Sequence, residues 1–167
     1  NGTCGVRSEE GKGSTFWVRF PLVHSPVPEL LANVGAAEAF LGFSMPISIV
    51  YIEDNDTNIE LMQSILSSYK NVKLLVAKTG ETGIGLIESI SPDIILIDID
   101  LPDMNGFEVC KQLQLEKELK HIPRIALSAS AMQSDIDQAF LVGFSEYVTK
   151  PIHISTFLNV LKRLTKA

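Results

Sequence analysis

The chain has 167 residues, of which 46% are hydrophobic and 20% are charged, a composition typical of a globular protein. Its formal net charge of −6 argues weakly against nucleic acid as a direct partner. No apolar run approaches the roughly 20 residues that a membrane-spanning helix needs, so we expect no direct membrane contact.

The two cysteines, Cys4 and Cys110, lie far apart and lack the spacing of metal ligands. They predict reduced thiols and a cytoplasmic location, because disulfides are rare in that compartment. A membrane anchor elsewhere in a longer parent protein is left open.

The first 45 residues predict a β-hairpin followed by a linker. The stretch GVRSEEGKGSTFWVRFPL alternates like two strands around a Gly-rich turn. The next segment is bounded by prolines and is nearly uncharged, and it predicts a short helix over Glu29 to Leu41, weakened by Gly35.

From Ile47 onward, short apolar strands alternate with amphipathic helices. The predicted strands cover residues 47–52, 72–77, 93–98, 122–128 and 146–149. The first predicted helix starts after a cap at Asn55 or Asp56. The other four predicted helices cover residues 80–90, 106–117, 134–141 and 155–164. This alternation predicts an α/β fold with a doubly wound, five-stranded parallel sheet covered by helices on both faces.

The second of these helices contains two glycines. Gly83 and Gly85 should each weaken it by about 1 kcal/mol relative to alanine. The segment GETGIG resembles a phosphate-binding loop, but it lacks the following lysine and the fingerprint spacing. We interpret it as an ordinary helix start.

Polar residues stand at the carboxyl ends of the predicted strands, where ligands bind in sheets of this kind. They are Glu53 and Asp54 after the first strand, Asp98 at the end of the third, Ser128 at the end of the fourth, and Lys150 after the fifth. These side chains should therefore lie close together.

Their chemistry suits a phosphoryl group. Glu53, Asp54, Asp98 and Asp100 offer carboxylate oxygens, the ligands that Mg²⁺ prefers. Lys150 adds a fixed positive charge and Ser128 a hydroxyl donor. A carboxylate also acts as a nucleophile without a general base.

The segments VYIEDN, PDIILIDIDLPDMNG, IALSASAM and YVTKPI together resemble the receiver domains of two-component response regulators, over roughly residues 45–167. The resemblance implies a flavodoxin-like fold with strand order 2-1-3-4-5. It also implies that Asp98, four residues before Pro102, is the phosphorylation site. Glu53 stands where aspartate is commoner in the family, and Ser128 where threonine is.

The remaining roles follow from the same resemblance. Glu53 and Asp54 match the acidic pair of the magnesium site, which Asp98 and the backbone carbonyl of Asp100 would complete. The following residues match, in order, the switch hydroxyl, the switch aromatic and the phosphate-pairing lysine: Ser128, Tyr147 and Lys150. The family catalyses its own phosphorylation and dephosphorylation.

The segment SEEGKGSTFWVRFPL resembles the last Gly-rich box and final strands of a histidine-kinase ATP-binding domain. The two resemblances imply the C-terminal part of a hybrid sensor histidine kinase. Its parts would be a kinase remnant over residues 1–22, a linker over 23–45 and a receiver domain over 46–167.

The implied partners are a histidine kinase domain, a histidine phosphotransfer domain, or both, and a homodimer stays open. Two alternatives compete with a phosphorylated receiver. One is a receiver-like interaction module that is never phosphorylated. The other is a phosphatase with an aspartate nucleophile, suggested by the Asp-x-Asp of DIDLP but not by the order of the motifs.

Overall fold

The computed structural model describes residues 2–9, 11–20 and 46–165. These residues fall into two compact units, an N-terminal hairpin and an α/β unit. The whole of the linker predicted over residues 23–45, including the helix predicted over residues 29–41, lies outside the described residues.

The hairpin consists of β1 (Thr3–Glu9) and β2 (Gly13–Arg19), paired antiparallel. Gly11 and Gly13 have positive φ values of 77° and 101° in the turn, where side chains other than glycine are strained. Val6 pairs with Phe16, so both side chains project from one face, and both are exposed.

The α/β unit alternates strictly between strands and helices. Its strands are β3 (Ile47–Ile52), β4 (Val72–Ala77), β5 (Ile94–Asp98), β6 (Arg124–Ser128) and β7 (Glu146–Thr149). Its helices are α1 (Asp56–Ser67), α2 (Gly80–Ile90), α3 (Gly106–Leu115), α4 (Gln133–Val142) and α5 (Ile154–Leu164).

The five strands of this unit form a parallel sheet in the order β4-β3-β5-β6-β7. Counted within the unit, this is the predicted order 2-1-3-4-5, and it confirms the fold class. Neighbouring residues of β3 alternate between two cores, since Tyr51 lies in one apolar cluster and Val50 and Ile52 lie in the other. The sheet is therefore buried on both faces, as continuous apolar strands predict.

Most predicted boundaries agree with the structure within two residues. Asn55, rather than Asp56, caps α1, because its side chain accepts hydrogen bonds from the backbone N–H groups of Thr57 and Asn58. The segment GETGIG is an ordinary helix start, capped by Thr79.

The boundaries on either side of the loop before β6 differ from the predicted ones by two residues each. α3 ends at Leu115, and β6 begins only at Arg124. The guanidinium of Arg124 is buried and donates hydrogen bonds to the carbonyl oxygens of Leu113 and Leu119, at 3.4 and 2.8 Å. This buried side chain fixes the loop in a turn conformation that the apolar pattern of the sequence did not indicate.

Candidate functional site

The five polar residues predicted at the strand ends lie at one edge of the sheet. The parallel register places Asp98 beside Leu127 and Ser128 beside Thr149. Glu53 follows β3, and Lys150 follows β7, at the same carboxyl edge. Because all five strands run in one direction, these side chains meet in one region.

Three carboxylates form the centre of the site. Glu53, Asp54 and Asp98 can each offer an oxygen such that the three oxygens lie within 4.8 Å of one another. Glu53 and Asp98 are buried, whereas Asp54 is exposed. Asp100 lies outside this group, and its backbone N–H donates to the Asp98 carboxylate.

Lys150 bridges the two buried carboxylates. Its Nζ lies 2.8 Å from Oε2 of Glu53 and 3.0 Å from Oδ2 of Asp98. Burial alone would lower the pKa of Lys150, but its hydrogen bonds to Glu53 and Asp98 outweigh this and raise it. The ammonium group therefore stays charged beside the predicted phosphorylation site.

The carboxylate of Glu53 is fully buried and accepts hydrogen bonds from four donors. Lys150 Nζ and the Tyr51 hydroxyl, 2.7 Å away, both donate to Oε2. Asn58 Nδ2 and the backbone N–H of Asn55 donate to Oε1, at 3.0 and 3.3 Å. Burial alone would raise the pKa of Glu53, but the bonds from Lys150, Asn58 and Tyr51 lower it, so Glu53 is held as an anion.

Asp98 is buried with fewer stabilising donors. Burial raises the pKa of its carboxyl group, and the charge of Glu53 raises it further, although the hydrogen bond from Lys150 opposes both. The folded protein thus holds Asp98 in an environment that disfavours its negative charge. A positive ion beside the carboxylate would relieve this cost.

The loop after β5 is positioned by residues that the sequence analysis did not single out. The Asp103 carboxylate accepts from the backbone N–H groups of Gly80 and Glu81, at 2.8 and 3.0 Å, and so caps α2. A Cβ atom on Gly106 would lie 2.4 Å from the backbone oxygen of Asp98, so only glycine allows α3 to start this close to the site. The Asn-Gly pair before an apolar helix was the available sequence signal.

Ser128, the predicted switch hydroxyl, is buried and takes part in a short polar chain. Its Oγ accepts a hydrogen bond from the backbone N–H of Ser130, at 3.1 Å. The carbonyl oxygen of Ser130 in turn accepts from the hydroxyl of Tyr147, at 2.9 Å. The two predicted switch residues are therefore linked through one residue, Ser130, which the sequence analysis did not predict.

Tyr51 is a further residue that the sequence analysis missed. It is one of three tyrosines in the chain, and it lies in a strand that is otherwise mostly aliphatic, two positions before Glu53. Residues two apart on a strand project from the same side of the sheet. This spacing was a signal that a phenol would lie next to the buried glutamate.

The donor set fits a magnesium ion. Oxygen ligands from carboxylates are those that Mg²⁺ prefers, and Asp54 is open to solvent while Asp98 lies beside it.

Among the described residues, no helix is long and apolar enough to span a membrane.

Comparison with protein families identifies one that covers most of the α/β unit. A family model described as "Response regulator receiver domain" matches residues 49–162. The polar-differentiation response regulator DivK of Brucella anthropi is 36% identical over 120 residues, which are 71% of this chain and 95% of that protein. DivK of Brucella ovis is 35% identical with the same coverage.

Solved structures show the same fold. The receiver domain of a signal transduction histidine kinase from Syntrophus aciditrophicus matches with a TM-score of 0.66 and 25% identity, over 72% of this chain and 90% of that one. The receiver domain of a sensor histidine kinase from Pseudomonas aeruginosa, which holds a magnesium ion in its active site cleft, matches with a TM-score of 0.67 and 24% identity. That match covers 73% of this chain and 99% of the other.

Proposed function

The chain belongs to the response regulator receiver domain family, and we propose that it accepts a phosphoryl group from a phosphohistidine onto Asp98. The observation that carries the proposal is the position of Lys150, whose Nζ lies 3.0 Å from Asp98 and 2.8 Å from Glu53, the two buried members of the carboxylate cluster. A buried carboxylate with an adjacent fixed cation is arranged to accept a group that carries three negatively charged oxygens.

In this proposal a carboxylate oxygen of Asp98 attacks the phosphorus atom, the P–N bond to the donor imidazole breaks, and the imidazole leaves with the electron pair. Lys150 pairs with a phosphoryl oxygen, and the Ser128 hydroxyl donates a hydrogen bond to another. Asp54, Asp98 and the backbone carbonyl of Asp100 would hold Mg²⁺ directly, and Glu53 would act on the ion through water. The ion, when bound, would offset the charge of the phosphoryl oxygens.

Intact-mass spectrometry after incubation with acetyl phosphate and Mg²⁺ tests this function. We expect one phosphoryl adduct on the wild-type chain and none on Asp98→Asn. An adduct on Asp98→Asn that forms at the wild-type rate would refute the assignment. Turnover of a generic phosphate ester would instead favour the phosphatase alternative, and no adduct on a folded wild-type chain would favour an interaction module.

We also propose that phosphorylation acts through the chain of Ser128, Ser130 and Tyr147. Attraction of the Ser128 hydroxyl to a phosphoryl oxygen would break the hydrogen bond that its Oγ accepts from the backbone N–H of Ser130. Ser130 also binds Tyr147, because its carbonyl oxygen accepts a hydrogen bond from the tyrosine hydroxyl. A hydrogen bond to a charged acceptor, worth roughly 1.5–3 kcal/mol, is sufficient to shift such an equilibrium. The face formed by α4, β7 and α5 would then change shape.

Hydrogen exchange with and without beryllofluoride measures this switch. Protection should change over residues 128–150 in the wild type, and the change should fade in Ser128→Ala. Changes confined to the neighbourhood of Asp54 and Asp98 would mean that the domain carries a phosphoryl group without switching.

The N-terminal hairpin supports a proposal about the parent protein. Phe16 and Val18 are 80% and 63% exposed on one face of the hairpin, and a two-stranded hairpin alone is marginally stable. We propose that the hairpin is the last part of a histidine-kinase ATP-binding domain, and that the parent is a hybrid histidine kinase. Its receiver would exchange the phosphoryl group with a histidine kinase domain or a histidine phosphotransfer domain.

A further inference from the structure

Tyr51 is a buried phenol whose hydroxyl has a functional acceptor. The side chain is 1% exposed and belongs to the apolar cluster on one face of the sheet. Its hydroxyl donates to Oε2 of Glu53 at 2.7 Å. A buried tyrosine hydroxyl needs an acceptor, so this bond fixes both side chains relative to β3.

The same glutamate oxygen is shared with Lys150. Nζ of Lys150 lies 2.8 Å from Oε2 of Glu53 and 3.0 Å from Oδ2 of Asp98, so the ammonium group is divided between the two carboxylates. A carboxylate has about four lone-pair positions, and Glu53 has four donors on the two oxygens. The glutamate is thus held by β3, by the start of α1 and by the residue after β7.

A phosphoryl group on Asp98 would change only one of these contacts. Lys150 would have to turn toward the new oxygens and would lose part of its bond to Glu53. Tyr51 lies on a central strand that is paired on both sides, so its hydroxyl would stay in place and Oε2 of Glu53 would keep one hydrogen-bond donor. Without the phenol, departure of Lys150 would leave that oxygen buried and unpaired, which is costly for an anion.

We infer that Tyr51 is a positioning residue for phosphorylation: its hydroxyl holds the Glu53 carboxylate in place and thereby frees Lys150 to pair with the phosphoryl group. This inference rests on the proposed function. It assigns a role to the phenol that acts through Glu53 and not by contact with Asp98 or the phosphoryl group.

The test compares Tyr51→Phe with Tyr69→Phe. Tyr69 packs against the same apolar cluster but follows the end of α1, which starts beside the site and is 12 residues long, so it lies far from Glu53. Binding of beryllofluoride in the presence of Mg²⁺, measured by calorimetry, reports how readily Lys150 pairs with a phosphoryl mimic. Uptake of a phosphoryl group from acetyl phosphate gives the rate.

Tyr51→Phe should weaken beryllofluoride binding and slow phosphorylation by about ten- to a hundredfold, the range expected for one hydrogen bond to a charged group. Tyr69→Phe should match the wild type in both measurements. Circular dichroism and urea melts would establish that both variants are folded.

A double-substitution cycle distinguishes positioning from a merely structural role. Glu53→Asp withdraws the carboxylate from the phenol by one methylene, so Tyr51→Phe should have little further effect on beryllofluoride binding in that background. In metal-free buffer the two substitutions should also be non-additive in the free energy of unfolding.

Wild-type binding and phosphorylation by Tyr51→Phe would overturn the inference and leave the proposed function intact. An equal loss on adding Tyr51→Phe to the wild type and to the Glu53→Asp variant would also overturn it, since the phenol would then act without Glu53. If the folded wild type itself takes up no phosphoryl group, the proposed function fails and the inference fails with it.

Discussion

At the scale of single residues, the two buried carboxylates of the site have opposite electrostatics. The fold lowers the pKa of Glu53 from its ordinary value of 4.5, where the bonds from Lys150, Asn58 and Tyr51 outweigh the effect of burial. It raises the pKa of Asp98 from 3.8, where burial dominates. The ionised form of Glu53 is therefore stabilising, and the ionised form of Asp98 is destabilising.

These shifts predict opposite effects of two isosteric substitutions on stability. Asp98→Asn should raise the midpoint of thermal unfolding at neutral pH in metal-free buffer, because the fold no longer has to hold that charge. A group with a raised folded pKa stabilises most below its unfolded pKa and loses this effect as pH rises through the folded value. The increase in unfolding midpoint of Asp98→Asn over the wild type should therefore shrink as the pH falls toward 3.8, the ordinary pKa of the Asp98 carboxyl group.

Glu53→Gln is the matched substitution and should lower the unfolding midpoint at neutral pH. A group with a depressed folded pKa stabilises above its unfolded value, and this effect is lost as pH falls through the folded one. Thermal melts between acid and neutral pH would measure both variants. Shifts of the same sign would contradict the electrostatic description of the site.

The metal site should depend more on Asp54 than on Glu53. The two oxygens of Glu53 already accept four hydrogen bonds, whereas Asp54 is exposed beside Asp98. Calorimetric titration should show that Asp54→Ala abolishes Mg²⁺ binding while Glu53→Gln weakens it. Asp56→Asn, which removes a nearby exposed charge, controls for the change in net charge. Equal losses in the first two variants would argue that Glu53 is also a direct ligand.

At the scale of secondary-structure elements, α2 shows that the two helix glycines have different roles. A Cβ atom on Gly83 would lie 2.3 Å from Cδ1 and 2.7 Å from Cγ1 of Ile52, which is fully buried in β3. A Cβ atom on Gly85 would meet nothing within 4 Å. Gly83 therefore allows the helix to pack on the sheet, whereas Gly85 only weakens the helix.

The two positions give a paired prediction. Gly85→Ala should stabilise the domain by about 1 kcal/mol through helix propensity. Gly83→Ala gains the same propensity but overpacks a stiff, β-branched side chain, which costs roughly 1–3 kcal/mol, so its net effect should be destabilising. Guanidinium melts would measure both. If both substitutions stabilised the domain, α2 would not be held against Ile52 as described.

At the scale of the whole molecule, the α/β unit has its own apolar core. Both clusters of buried side chains are drawn from residues 47–161. Near the N-terminus, in contrast, Phe16 and Val18 of the hairpin and the following Phe20 are exposed among the described residues. The α/β unit should therefore fold without the N-terminal segment.

Deletion of residues 1–45 should leave the unfolding free energy and the phosphorylation rate of the α/β unit unchanged. It should also leave ATP binding unchanged and undetectable, because a hairpin supplies too little of an ATP-binding domain to form a pocket. Denaturant melts, mass spectrometry and calorimetry with ATP would check these outcomes. Micromolar ATP binding that disappears on deletion would show that the first 45 residues form a nucleotide site.

The sequence by itself determined the fold class and the sheet-edge position of the predicted site. Apolar runs of strand length alternating with helical periodicity permit few arrangements other than a doubly wound sheet. That sheet brings its carboxyl ends to one edge, so Glu53, Asp54, Asp98, Ser128 and Lys150 had to lie near one another. The roles assigned to them, from the magnesium site to the switch, stay predictions.

Only the tertiary structure decided how those residues are held. The bond between Tyr51 and Glu53, the buried Arg124 and the close approach of Gly106 to Asp98 all depend on distances between elements. Local propensity describes the preference of one segment and carries no such distances. For this reason the sequence indicated only that Gly83 weakens α2, whereas the structure shows that the missing side chain lets the helix pack closely on Ile52.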